Sequence, residues 1–162
     1  MDLALTRRGD YAVRAALCLA KWDAAGYLKI REVAAAMDLP ASYTPHVLKL
    51  LATAGLAEAK AGPDGGYRLR SRPERISLLQ VVEAAEGSFN LERCILRGGP
   101  CHWEQACAVH GAWVAAMQAC REALERTTLA DLVAVDAQLE AAPTSALPNV
   151  THPPGPRRRA PE

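Results

Sequence analysis

The stretch that most constrains this chain is LKIREVAAAMDLPASYTPHVLKLLATAGL, followed at once by AEAKAGPDGGYRLR. Val33, Ala34 and Met37 recur at helical steps, which predicts a short helix over 30–37; Val47, Leu48, Leu51 and Ala52 predict a longer one over 42–54. Asp38-Leu39-Pro40 separates them, so the pattern is a helix-turn-helix. Ser42 suits the cap of the second helix, and Pro45 is tolerated there because first-turn amides have no intrahelical acceptor. That arrangement presents Ser42, Tyr43, Thr44, His46 and Lys49 at the leading end, with hydrogen-bonding groups of the kind that reach base edges and phosphates. Two helices alone would equally suit a hairpin that merely packs. The next residues decide: Leu56–Lys60 and Tyr67–Arg70 read as short strands joined by a glycine-rich turn. A β-hairpin in that position is a wing. Lys60, Arg68 and Arg70 supply its positive charge, and Gly65 with Gly66 lets backbone approach a phosphate.

Around this unit the chain reads as mainly helical. Thr6 is an N-cap for a helix over 6–22, with Arg7 and Arg8 at its start, either as a phosphate site with the helix-end amides or as a solvated face. Asp10 lies in the same first turn, where its charge favours the helix dipole, and Cys18 sits among alanines and leucines as core filler. Ser77 and Gln80 form a capping box for a helix ending at Gly87. From Gly111 to Glu125, Trp113, Met117, Cys120 and Leu124 form a single apolar stripe that needs a partner surface, best met by a second subunit. A short helix over 128–139 follows, and the proline- and arginine-rich residues from Pro143 onward read as a disordered tail. No run of eighteen apolar residues exists, so no membrane span is expected. Residues 1–70 hold ten Lys and Arg against seven Asp and Glu, which makes this half the side an anion would prefer. No paired carboxylates or nucleophile-base set appears, which argues against an enzyme.

The second constraint is chemical. CILRGGPCHWEQACAVH places Cys94, Cys101, Cys107 and His110 in one polar segment, with gaps of six, five and two residues. Thiolates suit zinc or iron-sulfur centres, and imidazole suits either metal. Disulfides are the weakest reading, because the charged N-terminus lacks the apolar core of an export signal. Inert buried thiols fit poorly with Arg93, Arg97, His102 and Glu104. Structural zinc is the serious rival, yet zinc modules usually carry close cysteine pairs and this chain has no CxxC. Wide single-thiol spacing fits a bulkier cluster better.

GDYAVRAALCLA, SY at the second helix, GPDGGYRLR, ISLLQVVEAAEG, the three cysteines and TTLADLV together resemble the Rrf family of bacterial winged-helix repressors over about residues 1–135. The resemblance implies a cytoplasmic homodimer that uses an iron-sulfur cluster to govern binding to double-stranded DNA. It implies Cys94, Cys101 and Cys107 as thiolate ligands. CAVHGAW is similar to the segment whose histidine completes a 2Fe-2S site in one branch, which points to His110. GDYAVRA is similar to the start of a second branch, where an aspartate from the partner subunit completes a 4Fe-4S site, which points to Asp10. The 2Fe-2S form with His110 is favoured. Pro45 and His46 stand where longer acid and amide side chains read bases in the family, and Ala61 where a wing arginine is typical, so no target sequence is implied.

The expected organisation is a winged helix-turn-helix over 1–87, a cluster-binding loop over 88–110, a dimerisation helix with a short C-terminal helix over 111–142, and a tail over 143–162. The expected function is cluster-sensing transcriptional regulation, responding to cluster supply, redox state or nitric oxide. The alternative is a constitutive winged-helix DNA-binding protein stiffened by a Cys3His zinc site.

Overall fold

A computed structural model describes residues 4–88 and 107–141. Helix α1 (Arg7–Lys21) begins where expected: the Thr6 hydroxyl accepts from the Gly9 amide and satisfies one of the donors that a helix start leaves unpaired. Its buried face is Ala12, Ala15, Ala16 and Leu19, with Cys18 fully enclosed beside them. Small side chains let α1 be approached closely from several sides, and it packs on α2 (Ile30–Ala36), α3 (Thr44–Thr53), α4 (Leu78–Glu86) and α6 (Leu129–Ala141). Burial pushes the Cys18 thiol up to about 11, so this cysteine is a protonated apolar filler at neutral pH.

The helix-turn-helix forms as the apolar spacing requires, with Val33, Val47, Leu48 and Leu51 fully buried against α1. Its second helix starts two residues later than expected. Tyr43 is the N-cap residue without a side-chain cap bond, and the exposed Ser42 does not cap the helix; Pro45 lies in the first turn.

The wing is an antiparallel pair, β1 (Ala57–Lys60) and β2 (Gly66–Leu69), with Ala57 opposite Leu69 and Glu58 opposite Arg68. A third segment joins it: Leu28 and Tyr67 exchange backbone bonds of 2.9 and 2.8 Å, fastening the start of the helix-turn-helix to the wing. Here the glycines have a use beyond the one their spacing suggests. A Cβ on Gly66 would lie 2.2 Å from the Leu28 carbonyl oxygen, and one on Gly65 2.0 Å from the Lys60 carbonyl oxygen. Both positions serve close backbone approach, Gly65 within the wing and Gly66 to the segment before α2.

Ser77 and Gln80 form the expected capping box at α4. Helix α5 (His110–Arg126) packs on α4 but has no buried residue along its length, and Trp113, Met117, Cys120 and Leu124 are only half-buried. Helix α6 returns to the N-terminal core. The Leu78 amide donates to the Thr127 carbonyl at 2.7 Å and the Leu129 amide to the Ile76 carbonyl at 2.9 Å, while Lys21 bridges Asp136 and Glu140 at 2.6 and 2.7 Å. Leu129 is fully buried in the cluster built by α1, α3 and α4, so residue 87 does not separate two cores. The proposed tail beyond residue 142 lies outside the described residues.

Truncation of this anchor is expected to be costly. Leu129→Ala should lower unfolding free energy by about 2–5 kcal/mol in urea titration; a loss below about 1 kcal/mol would contradict the place of α6 in the core.

Candidate functional site

At the leading end of α3 the side chains divide. His46 and Lys49 are exposed, as is Ser42 before them, and all three face outward as a base- or phosphate-contacting set would. Tyr43 is half-buried and edge-on to Tyr11, with centroids 5.8 Å apart, and its ring lies 5.3 Å from that of His46. Tyr43 therefore backs His46 from the protein side. Thr44 does not belong in the set. It is 1% exposed, and its hydroxyl donates to the Pro40 carbonyl at 2.9 Å, closing the turn between the two helices. Helical spacing alone turned it outward; the hydroxyl's bond inside the turn draws it in.

The wing is more compensated than its composition suggests. Lys60 is exposed, with its ammonium 5.6 Å from the Tyr27 ring centroid. Arg68 is also exposed, but its Nε donates to Glu58 Oε1 at 2.6 Å, and the Tyr27 hydroxyl donates to the same oxygen at 2.7 Å. Those two bonds, Tyr27 first, hold the Glu58 carboxyl below the usual carboxylate range and fix it as an anion. Between wing and α2 lies an open groove of about 790 Å³ whose basic lining residues are Lys29, Arg31 and Lys60. Lys29 Nζ also donates to the Pro63 carbonyl, tying the wing turn to the helix-turn-helix. Lys29, Arg31, Tyr27 and Glu58 were not singled out from sequence, since only the fold brings the segment before α2 beside the wing.

At the start of α1, Arg7 and Arg8 are exposed, but the helix end is already taken. Glu86, from the last turn of α4, accepts from the Thr6 amide at 2.9 Å and hydroxyl at 2.7 Å. Its carboxylate stands at the positive end of the α1 dipole, where a phosphate would be repelled. The Arg7 and Arg8 side chains remain exposed beside that carboxylate. Gly9 permits the contact: a Cβ there would lie 2.2 Å from Glu86 Oε1. Asp10, next along, is paired with Arg14 at 2.9 Å, and Arg14 also reaches the Met37 carbonyl at the end of α2 at 3.5 Å.

Cys94 and Cys101 lie outside the described residues, as does the body of the loop. Cys107 and His110 are within them. Cys107 carries a free, half-buried thiol, and the His110 amide donates to its carbonyl at 3.2 Å as α5 begins. Cys107 lies three residues before His110, the first residue of α5, and the backbone bond between them closes the turn that leads into the helix. Among the described residues no three His, Cys, Asp or Glu side chains gather around a common point. The soft thiolate and borderline imidazole donors fit an iron-sulfur or zinc centre. Asp10 bonds to Arg14 and is not joined to Cys107 or His110 by any described hydrogen bond or ion pair.

A helix-turn-helix with a two-stranded wing and basic groups along its leading face defines a winged-helix transcriptional regulator. A family profile described as an iron-dependent transcriptional regulator, Rrf2, matches residues 5–135, and the chain belongs to that family. It is 30% identical over 129 residues to an HTH-type transcriptional regulator of Neisseria meningitidis serogroup A, covering 80% of this chain and 86% of that protein. It is 30% identical over 129 residues to the HTH-type transcriptional regulator IscR of Escherichia coli O1:K1, covering 80% of this chain and 79% of that one. Among solved structures it resembles CymR (YrzC), the global cysteine regulator of B. subtilis, at TM-score 0.68 and 25% identity over 83% of this chain and 98% of that one. Among the described residues no helix is long and apolar enough to cross a membrane.

The wing geometry predicts that Gly66→Ala, which sets a methyl group against the Leu28 carbonyl, destabilises the fold by about 1–3 kcal/mol in thermal or urea unfolding. Wild-type stability in that variant would show that the close crossing of Leu28 and Tyr67 is not required.

Proposed function

We propose that this chain is a homodimeric, iron-sulfur-sensing regulator that represses transcription by binding double-stranded DNA, with Cys94, Cys101, Cys107 and His110 as cluster ligands. The observation that carries the reading is the position of Cys107 and His110 just before and at the first residue of α5, a helix with no buried residue in the protomer. Ligands at the root of that helix are well placed to influence how it meets a second copy. The half-buried stripe of Trp113, Met117, Cys120 and Leu124 supplies the apolar face for that pairing. Pairing sets the separation of two α3 helices, and half-sites about one helical turn apart are bound only when that separation is right.

The relative from B. subtilis is named for cysteine and the relative from E. coli is an IscR, so the shared fold alone does not select an effector. The reading therefore rests on the three thiols of this chain. A bound cluster would supply redox sensitivity and dependence on cluster supply. The protein's own residues do the rest: His110 binds through its imidazole, and Ser42, Tyr43, His46, Lys49 and Lys60 face the DNA. His110 is preferred to Asp10 because it lies within the cysteine segment, whereas the Asp10 carboxylate already has Arg14 as its partner.

Anaerobically purified protein is expected to be brown and to hold iron and acid-labile sulfide in near-equal amounts. The His110→Ala cluster should differ from wild type in absorption and Mössbauer spectra and in lifetime, while the Asp10→Ala cluster should match. Reversal of that pair would assign the ligand to Asp10 and the cluster to the 4Fe-4S type. A colourless protein with one zinc per chain and no reconstitution would establish the structural zinc site instead.

A further inference from the structure

The wing contains a charge pairing that works against its expected role. Glu58 and Arg68 are direct partners across β1 and β2, and Glu58 Oε1 accepts from both Arg68 Nε at 2.6 Å and the Tyr27 hydroxyl at 2.7 Å. The Arg68 guanidinium also lies over the Tyr27 ring, 4.7 Å from its centroid. The arginine is therefore held from two directions, by a carboxylate at its Nε edge and an aromatic face beneath it. The carboxylate is in turn held by a hydroxyl from outside the hairpin. A wing residue that meets DNA must give its charge to a phosphate and release a counterion. Arg68 already has an anion at bonding distance, and that anion also repels an approaching phosphate.

We propose that Glu58 is an affinity-setting residue, which withholds Arg68 from the DNA backbone and leaves the wing's phosphate contact to Lys60, beside Lys29 and Arg31 across the groove. The proposal rests on the DNA-binding reading above. It assigns Tyr27 a positioning role: its hydroxyl fixes the carboxylate and its ring seats the guanidinium, so the pair does not open freely as phosphate nears. The side chains of Arg68 and Glu58 are 47% and 37% exposed. An ion pair so open to solvent contributes little to folding, so changes here read out in binding rather than in stability.

Glu58→Gln tests this directly, because the amide keeps an oxygen acceptor for Tyr27 and Arg68 while removing the charge. The full chain, purified anaerobically, is titrated with a mixed-sequence DNA duplex several turns long across a salt series, alongside Arg68→Gln and the double variant. Thermal unfolding of each confirms that it is folded. Glu58→Gln should bind more tightly and steepen the plot of log affinity against log salt by about one phosphate contact, a slope change of about 0.9. Arg68→Gln should keep the wild-type slope, and the double variant should return to it. A Glu58→Gln slope equal to wild type, or an Arg68→Gln slope flatter by a full contact, would overturn the proposal while leaving DNA binding intact. Wild-type protein with no salt-dependent duplex binding would remove the DNA-binding reading, and this inference with it.

Discussion

The close approach to α1 is the constraint on which the rest of the structure depends. Ala12, Ala15 and Ala16 are buried on one helix, and α3, α4 and α6 all pack against it. With side chains this small, neighbouring helices can come near enough for Leu19, Leu48, Leu51 and Leu129 to interlock, and core packing at that density tolerates little added volume. Both ends of α1 are also fastened. Glu86 holds its first turn through Thr6, and Asp136 and Glu140 hold Lys21 in its last. The recognition helix is thus positioned by α1, and α1 by α4, which leads into the cysteine segment, and by α6.

That arrangement joins the two functional regions through short paths. The segment containing Cys94 and Cys101 leaves α4 just after Glu86, whose carboxylate sits on the α1 start, and returns at Cys107 to α5, which packs back on α4. One turn into α1, Asp10 pairs with Arg14, and Arg14 touches the Met37 carbonyl at the turn between the two helices of the DNA-binding motif. Any rearrangement at the loop's roots meets α4 and α5 first. In the proposed reading, its effect on DNA binding would then pass through α1 or through the pairing of α5 with a second copy.

Much of this was legible from residue order because the signals are local. The Thr6 cap, the Ser77 capping box, the apolar spacing of both motif helices and the glycine-rich hairpin all depend on partners within a few residues, and each formed where expected, give or take a residue or two. The failures share a different cause. Thr44 turned inward because its hydroxyl satisfies a carbonyl four residues back, and periodicity is blind to such a bond. Gly65 and Gly66 also admit the backbone of Lys60 and Leu28, a use that their spacing does not announce. Arg68 looks like free charge until the register sets it opposite Glu58 and the Leu28 bridge brings Tyr27 alongside. Glu86 on the first turn of α1 links residues eighty apart, and no local pattern encodes it.

In the proposed reading, the cysteine segment governs how the winged helix engages DNA. The direct measurement is the affinity of the cluster-loaded protein for genomic DNA fragments that it selects, compared with the same protein after cluster removal, at one fixed salt concentration. Loading is expected to change the affinity for selected fragments by at least about tenfold, which is about 1.4 kcal/mol, while non-specific duplex binding changes little. Equal affinity of the loaded and stripped dimers for every fragment would contradict it and leave a winged-helix protein whose thiols serve only its structure.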